Sequence, residues 1–218
     1  MNRDWYEWHL QYDDPTSSLS ERLAQVRSRI WAALDEAPPG PLSAISVVAG
    51  QGRDLIPVLA THPRRADVTA RLVELDPRNT EVALALVAEA GLTTVEVVTG
   101  DASTVDAYAG LLPADVILLC GLFGNITDDD IRTTISAAGA MTRVGGTVVW
   151  TRGGSTPGAV EWVASVFEEA GFERVFISAP GPWYAVGAHR YAGPVRPLPQ
   201  GRMFTFVGRA ELKARGLR

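Results

Sequence analysis

The sequence predicts an α/β protein: a doubly wound, mostly parallel sheet with an antiparallel closing strand, preceded by an N-terminal helical cap. Three features carry that expectation. From residue 44 to residue 170, short apolar runs alternate with helical stretches, the pattern of strands buried on both faces and joined by right-handed crossovers. Beyond residue 171 three strand-like runs follow one another with no helix between them, and a link as short as Pro180-Gly181-Pro182 can join only antiparallel neighbours. Ahead of the alternation stands one amphipathic helix with an aromatic-rich leader.

Residues 1–40 make the cap. Trp5, Tyr6, Trp8, His9 and Tyr12 crowd its start, and Ser18-x-x-Glu21 reads as a capping box. Leu19, Leu23, Val26, Ile30 and Leu34 recur at helical spacing, which predicts a helix over 18–37 ended by Pro38-Pro39-Gly40-Pro41. Residues 41–210 make the core. Strands are expected at 44–49, 69–75, 95–99, 115–120 and 147–151. Helices are expected from Asp54 to about Ala60, after an Asp76 cap with Pro77 at its first position and Gly91 past its end, over 127–141, and over 156–170. The closing strand-like runs are 174–177, 184–191 and 203–207. No repeat or low-complexity linker interrupts the chain, so residues 1–218 are expected to be a single domain.

Composition narrows the chemistry. With 218 residues, 46% hydrophobic and 21% charged, the chain can bury a sizeable core. A net charge of −5 gives no electrostatic reason to seek nucleic acid or anionic lipid. The one cysteine, Cys120, can form neither an internal disulfide nor a thiolate zinc cluster, and no run reaches the roughly 20 apolar residues of a membrane helix. A cytoplasmic location is the expectation. The only lysine is Lys213, five positions before Arg218 in a charged C-terminal stretch. That argues against a phosphate-loop NTPase, a pyridoxal enzyme and a Tyr-Lys dehydrogenase, each of which needs a well-placed lysine.

Three strand ends carry ligand-type signals. After the first strand comes Ala49-Gly50-Gln51-Gly52-Arg53-Asp54, in which two glycines allow a sharp turn and close approach to a ligand at a helix N-terminus. The second strand ends Glu74-Leu75-Asp76-Pro77, with Glu74 22 residues after Gly52, the reach expected of an acid that accepts from ribose hydroxyls. A salt bridge from Glu74 to Arg71 or Arg53 is the simpler alternative. The third strand ends Gly100-Asp101-Ala102, where a carboxylate can accept from an adenine amino group, or cap the turn near Tyr108. Asp128-Asp129-Asp130 suits a helix dipole without any metal, and no metal site is expected.

Gly50-Gln51-Gly52, Glu74 with its trailing Leu75-Asp76-Pro77, and Gly100-Asp101-Ala102 together resemble the cofactor motifs of class I S-adenosylmethionine-dependent methyltransferases of the small-molecule type. The resemblance covers about residues 40–191 and departs from the commoner Gly-x-Gly-x-Gly form. It implies a Rossmann-like sheet of order 3-2-1-4-5-7-6, with S-adenosyl-L-methionine as cofactor and S-adenosyl-L-homocysteine as product. It also implies cofactor contacts from Ala49, Gly50, Gln51, Gly52, Arg53, Glu74, Leu75, Gly100, Asp101, Ala102, Cys120 and Gly121, with Arg53 or Tyr12 meeting the methionine carboxylate. The fourth strand end, Cys120-Gly121-Leu122-Phe123-Gly124-Asn125, lacks the Asp/Asn-Pro-Pro-aromatic sequence that resembles nucleic-acid amino-methyltransferases.

Methyl transfer requires alignment and exclusion of water, with a general base where the acceptor must lose a proton. His9, Tyr12 and Asn125 are the catalytic candidates. Trp5, Trp8, Leu122, Phe123, Trp183 and Tyr184 are the candidates for lining a small-molecule acceptor, beneath a lid formed by the cap. His62 is expected in a surface loop and His189 in the core. A homodimer is possible through the cap or the last strand. The alternatives are a nicotinamide-dependent oxidoreductase and a non-catalytic nucleotide-binding domain.

Overall fold

The computed structural model describes residues 3–153, 157–179 and 184–217. It opens with a short helix, α1 (Trp5–His9), and a 3-10 turn at Leu10–Asp13, followed by α2 (Ser18–Glu36). Then come β1 (Leu42–Val47), α3 (Leu55–Thr61), β2 (Val68–Glu74), α4 (Pro77–Glu89), β3 (Val95–Thr99), β4 (Ala114–Leu119) and α5 (Asp128–Met141). The chain continues through β5 (Thr142–Arg152), α6 (Ala159–Glu169), β6 (Phe172–Ile177), β7 (Ala185–Tyr191) and α7 (Arg209–Ala214).

The seven strands lie in the order β3-β2-β1-β4-β5-β7-β6, parallel except for β7, which runs antiparallel to both β5 and β6. This is the expected order, and it has a mechanical cause. β4, buried along its whole length, needs cover on both faces, and the crossover helices supply it. One apolar layer, including Phe123, Ile131, Ile135, Trp150, Val163 and Phe167, lies against α5 and α6. The other, including Ile30, Leu34, Leu55, Leu59, Ala83 and Val149, lies against α2, α3 and α4. The order reverses between β1 and β4, which creates a switch-point crevice at the carboxyl edge, where open α/β sheets bind ligands.

Local chemistry sets most boundaries. Asp76 accepts from the Arg78 N–H and Pro77 occupies the first turn of α4, as expected. Thr127 caps α5 by accepting from Asp130. The cap of α2 is Ser17 rather than Ser18, since its hydroxyl takes the Ser20 N–H. Three expectations are corrected. Residues 203–207 form no strand; an isolated bridge between Thr104 and the preceding Arg202, and bonds from the Met203, Thr205 and Val207 N–H groups to Ser103, Asp130 and Asn125, tie that segment to the sheet's edge loops and α5. Thr156 lies outside the described residues, and α6 begins at Ala159 after Gly158 in a left-handed conformation. His62 is buried rather than in a surface loop, packed edge-on against Trp31 at 4.5 Å and facing Asp35 at 3.2 Å.

Candidate active site

The site is built from the carboxyl ends of β1, β2 and β4 and the loop after β3. β1 gives way to its turn at Val48, whose φ of 51° lies in the left-handed region that a branched side chain occupies at a cost of roughly 1–3 kcal/mol. Gly50 and Gly52 follow at φ 56° and 65°. A Cβ on Gly52 would stand 2.5 Å from Ile56 and 2.6 Å from Leu72, so the close packing of the turn onto α3 and β2 demands glycine there. A Cβ on Gly50 would stand 2.3 Å from His9 Nε2. The space above this turn therefore belongs to the N-terminal arm.

Glu74 stands at the adjoining strand tip. Its Oε2 accepts from the Gly50 N–H at 2.8 Å and its Oε1 from the Asp76 N–H at 2.9 Å. Neither arginine considered as its partner pairs with it: Arg71 is held by Glu96 at 2.6 Å and Arg53 by Asp13 at 2.8 Å. Each carboxylate oxygen keeps lone-pair capacity for a ligand hydroxyl. Leu75, 72% exposed, extends an apolar side chain along the rim next to it.

Asp101 differs. Its carboxylate accepts from the Ser103 N–H at 2.9 Å and pairs with Arg202 at 2.8 Å, and the bonding from Ser103 and then Arg202 holds its pKa below the ordinary range. It caps no helix, the neighbouring 3-10 turn beginning at Thr104 without a side-chain cap. Standing free of arginine thus holds for Glu74 and fails for Asp101. Both members of the Asp101–Arg202 pair are about half exposed, and such a pair contributes only about 0–1 kcal/mol, so its exchange for another donor is cheap.

At the end of β4 the side chains are more committed than expected. Gly121 is exposed with φ 76° and open space beside it; its N–H donates to Thr151 Oγ1 at 2.8 Å. Asn125 donates to the Gly121 carbonyl at 2.7 Å and accepts from the Arg209 N–H at 3.1 Å, so its amide shapes the loop and is no longer a catalytic candidate. Leu122 and Phe123 have no exposed surface, and Phe123 packs towards Trp150 and Phe167, which removes both from the acceptor lining. Gln51 is buried between Asn79 and Arg53 and presents backbone only. Trp183 lies outside the described residues. Tyr184 is buried, its phenol pKa raised by burial and by a bond with Glu21.

The arm brings its own polar groups. His9 Nδ1 lies 2.6 Å from the Trp5 carbonyl, and because a carbonyl only accepts, Nδ1 carries the proton. Burial pushes the His9 pKa down, so the ring is neutral near pH 7 with an unprotonated Nε2 facing the glycine turn. Trp8 packs edge-on against Trp5 at 5.7 Å and Tyr12 at 5.5 Å, and Trp5 meets Phe206 at 5.5 Å. Arg78 forks onto Asp4, and Arg53 pairs with Asp13 while also bonding Gln51; its guanidinium thereby ties the arm to the turn instead of waiting for a carboxylate.

Three groups at this edge were not singled out by the sequence. Arg22 donates to the Tyr12 hydroxyl and lies over the rings of Trp8 and Tyr12 at 5.7 and 5.9 Å. Asp54, the buried cap of α3, has its pKa raised by burial. Phe206 arrives from the C-terminal segment. An arginine in the first turns of an amphipathic helix reads as a solvated charge, and nothing in the sequence signals that Arg22 faces inward. A groove of about 470 Å³ between α2 and α3 is lined by Arg27, Trp31, Asp35 and Pro57.

A family model described as "Putative methyltransferase" matches residues 21–171. Among curated proteins none matches. Among solved structures, an O-methyltransferase family protein from Burkholderia thailandensis superposes with a TM-score of 0.61 at 18% identity, over 80% of this chain and 57% of that one, so this chain spans little more than half its length. Magnesium protoporphyrin IX methyltransferase from Synechocystis PCC 6803, solved with bound S-adenosylmethionine, gives 0.62 at 13% identity over 84% and 89%. Fibrillarin from Aeropyrum pernix, with natively bound S-adenosylmethionine, gives 0.54 at 15% identity over 74% of each chain.

Proposed function

The chain belongs to the methyltransferase family matched over residues 21–171, and on that premise we propose that it transfers a methyl group from S-adenosylmethionine to a small-molecule acceptor. The observation that carries this reading is the Glu74 carboxylate bonded to the Gly50 N–H, which joins an acid at the tip of β2 to the glycine turn after β1.

The residues present fit the cofactor. Glu74 offers acceptor capacity to two ribose hydroxyls, and Leu75 with the backbone of Gly100, Asp101 and Ala102 offers a flat, partly apolar edge for the base. Ala49, Gly50 and Gly52 offer the backbone of the turn, with the room above Gly50 held by His9, and the exposed Gly121, with open space beside it, lies beyond Cys120 across the switch point. Bound there, S-adenosylmethionine supplies an electrophilic methyl group on a sulfonium. The protein's part is to hold, align and exclude water. Trp5, Trp8, Tyr12 and Phe206 roof the crevice with rings that suit an apolar or aromatic acceptor. His9, neutral with a free Nε2, is the group able to take a proton from an acceptor O–H or N–H. The acidic net charge argues against a polyanionic acceptor such as nucleic acid.

The test is differential thermal stabilisation. S-adenosylhomocysteine at a large excess over its Kd should raise Tm and NAD should not, and the reverse result overturns the proposal. Turnover of an acceptor panel by the S-adenosylhomocysteine-binding protein separates an enzyme from a binding domain.

A further inference from the structure

Arg22 is a half-buried cation that, among the described residues, closes no ion pair with a carboxylate. Its guanidinium donates to the Tyr12 hydroxyl, whereas Arg27 is bonded to the Arg53 carbonyl at 2.6 and 2.9 Å and Arg53 to Asp13. Its position is central. It acts electrostatically on His9 from α1, Tyr12 from the 3-10 turn, Asp54 after the glycine turn, Cys120 after β4 and Tyr184 before β7. α2, which carries it, packs across α3, β4, β5 and β7. Arg22 thus stands over the switch point between β1 and β4, with the buried acid Asp54 as its opposite charge nearby.

Resting on the methyltransferase reading, the order of the strand-end contacts gives a direction. On that reading the base end would meet the loop after β3 and the ribose Glu74 on β2, and the strand order and the Glu74–Gly50 bond carry the next step across Gly50 after β1 towards β4. The remaining part of the cofactor is a zwitterionic amino acid, which needs one cation and one acceptor. We propose that Arg22 takes the carboxylate of that amino acid, and that its shared bond with Tyr12 couples occupancy of the position to docking of the arm formed by residues 3–13. The coupling is reciprocal: a ligand that fixes Arg22 fixes Tyr12, and a docked arm holds Arg22 ready for the ligand. A ligand with the same adenosine but no amino acid binds without closing the arm.

The experiment compares S-adenosylhomocysteine with 5′-methylthioadenosine, which lacks the amino-acid carboxylate, on the wild-type chain, Arg22→Met and Arg22→Lys. Affinity is read by calorimetry and arm docking by limited proteolysis within residues 3–13. Arg22→Met should weaken S-adenosylhomocysteine about tenfold or more, as expected for a lost charged hydrogen bond, and leave methylthioadenosine within about twofold. Arg22→Lys, which keeps the charge but not the fork, should fall between. S-adenosylhomocysteine should protect the wild-type arm and not that of Arg22→Met. Equal weakening of both ligands, or no weakening of either, overturns the proposal while leaving the methyltransferase reading intact. A wild-type chain that binds neither ligand overturns that reading, and this inference with it. Circular dichroism at matched temperatures shows that the variants fold, and Arg22→Lys serves if Arg22→Met does not.

Discussion

Glu74 holds the N–H of Gly50 at 2.8 Å across two neighbouring strand ends, so one carboxylate both shapes the glycine turn and faces the crevice it lines. Removing it should cost twice. Glu74→Ala leaves the Gly50 and Asp76 N–H groups without their acceptor and takes away the ribose partner. S-adenosylhomocysteine affinity measured by calorimetry should fall by roughly 1.5–3 kcal/mol, with a lowered Tm. Glu74→Gln retains one acceptor oxygen and should lose less stability than affinity. An unaltered Kd in both variants would remove Glu74 from the site.

Gly50 and Gly52 should respond differently to the same added methyl. At Gly52 the methyl meets Ile56 and Leu72, so Gly52→Ala should lower global stability by roughly 1–3 kcal/mol in urea unfolding. At Gly50 it meets the imidazole of His9, a side chain on a removable arm. Gly50→Ala should therefore expose residues 3–13 to protease and red-shift the fluorescence of Trp5 and Trp8, with a smaller change in global unfolding. The same loss of stability for both, without arm release, contradicts the docking geometry.

His9 should set the acid limb of activity. Its Nδ1 is committed to the Trp5 carbonyl and burial lowers its pKa, so the reactive neutral ring prevails above a value lower than 6.5. For an acceptor that must lose a proton, kcat should rise with pH through that value and then level off. His9→Gln should remove that limb and lower kcat by about 10²–10⁴-fold. A pH profile unchanged in His9→Gln would leave the residue a packing role only.

His189 predicts a pH dependence of stability independent of any ligand. It has no exposed surface, accepts from the Trp150 indole at 3.0 Å, stacks on Phe167 at 4.9 Å, and burial, with Arg174 secondary, lowers its pKa from 6.5 to about 4. A lowered folded-state value means that the unfolded chain binds the proton more tightly. This contribution is complete above about pH 6.5 and is lost as the pH falls towards 4, amounting to about 2 kcal/mol by pH 5. His189→Leu should flatten that slope while costing roughly 1–3 kcal/mol at pH 7.5, because the buried Trp150 N–H loses its acceptor. Urea unfolding at the two pH values decides it.

Much of the fold is legible because the apolar periodicities are strong. The alternation from residue 44 onward and the glycine, proline and aspartate punctuation around Asp76, Pro77 and Gly91 leave few other arrangements. The segment 203–207 shows the limit. Met203 and Phe204 are buried and apolar, as strand residues would be, but the segment bonds to Ser103, Asp130 and Asn125 instead of to a neighbouring strand. Composition reports that a side chain is buried and says nothing of what its backbone pairs with. Leu122 and Phe123 illustrate the same limit from the other side: the strand-end position was legible, while the direction of the side chains depends on whether the loop turns into the α5 and α6 layer.

The sequence alone determined the class of sheet, its antiparallel closure, and the three strand-end signals around Gly50, Glu74 and Asp101, because each depends on residues close together in the chain. Only the tertiary structure decided that Arg202 reaches Asp101, that His9 rests on Gly50, and that Arg53 pairs with Asp13 while Arg22 bonds the Tyr12 hydroxyl. Those pairings join residues far apart in the chain, and which of many arginines meets which acid follows from the packing of α1 and α2 against the sheet's edge, a choice that local propensity does not encode.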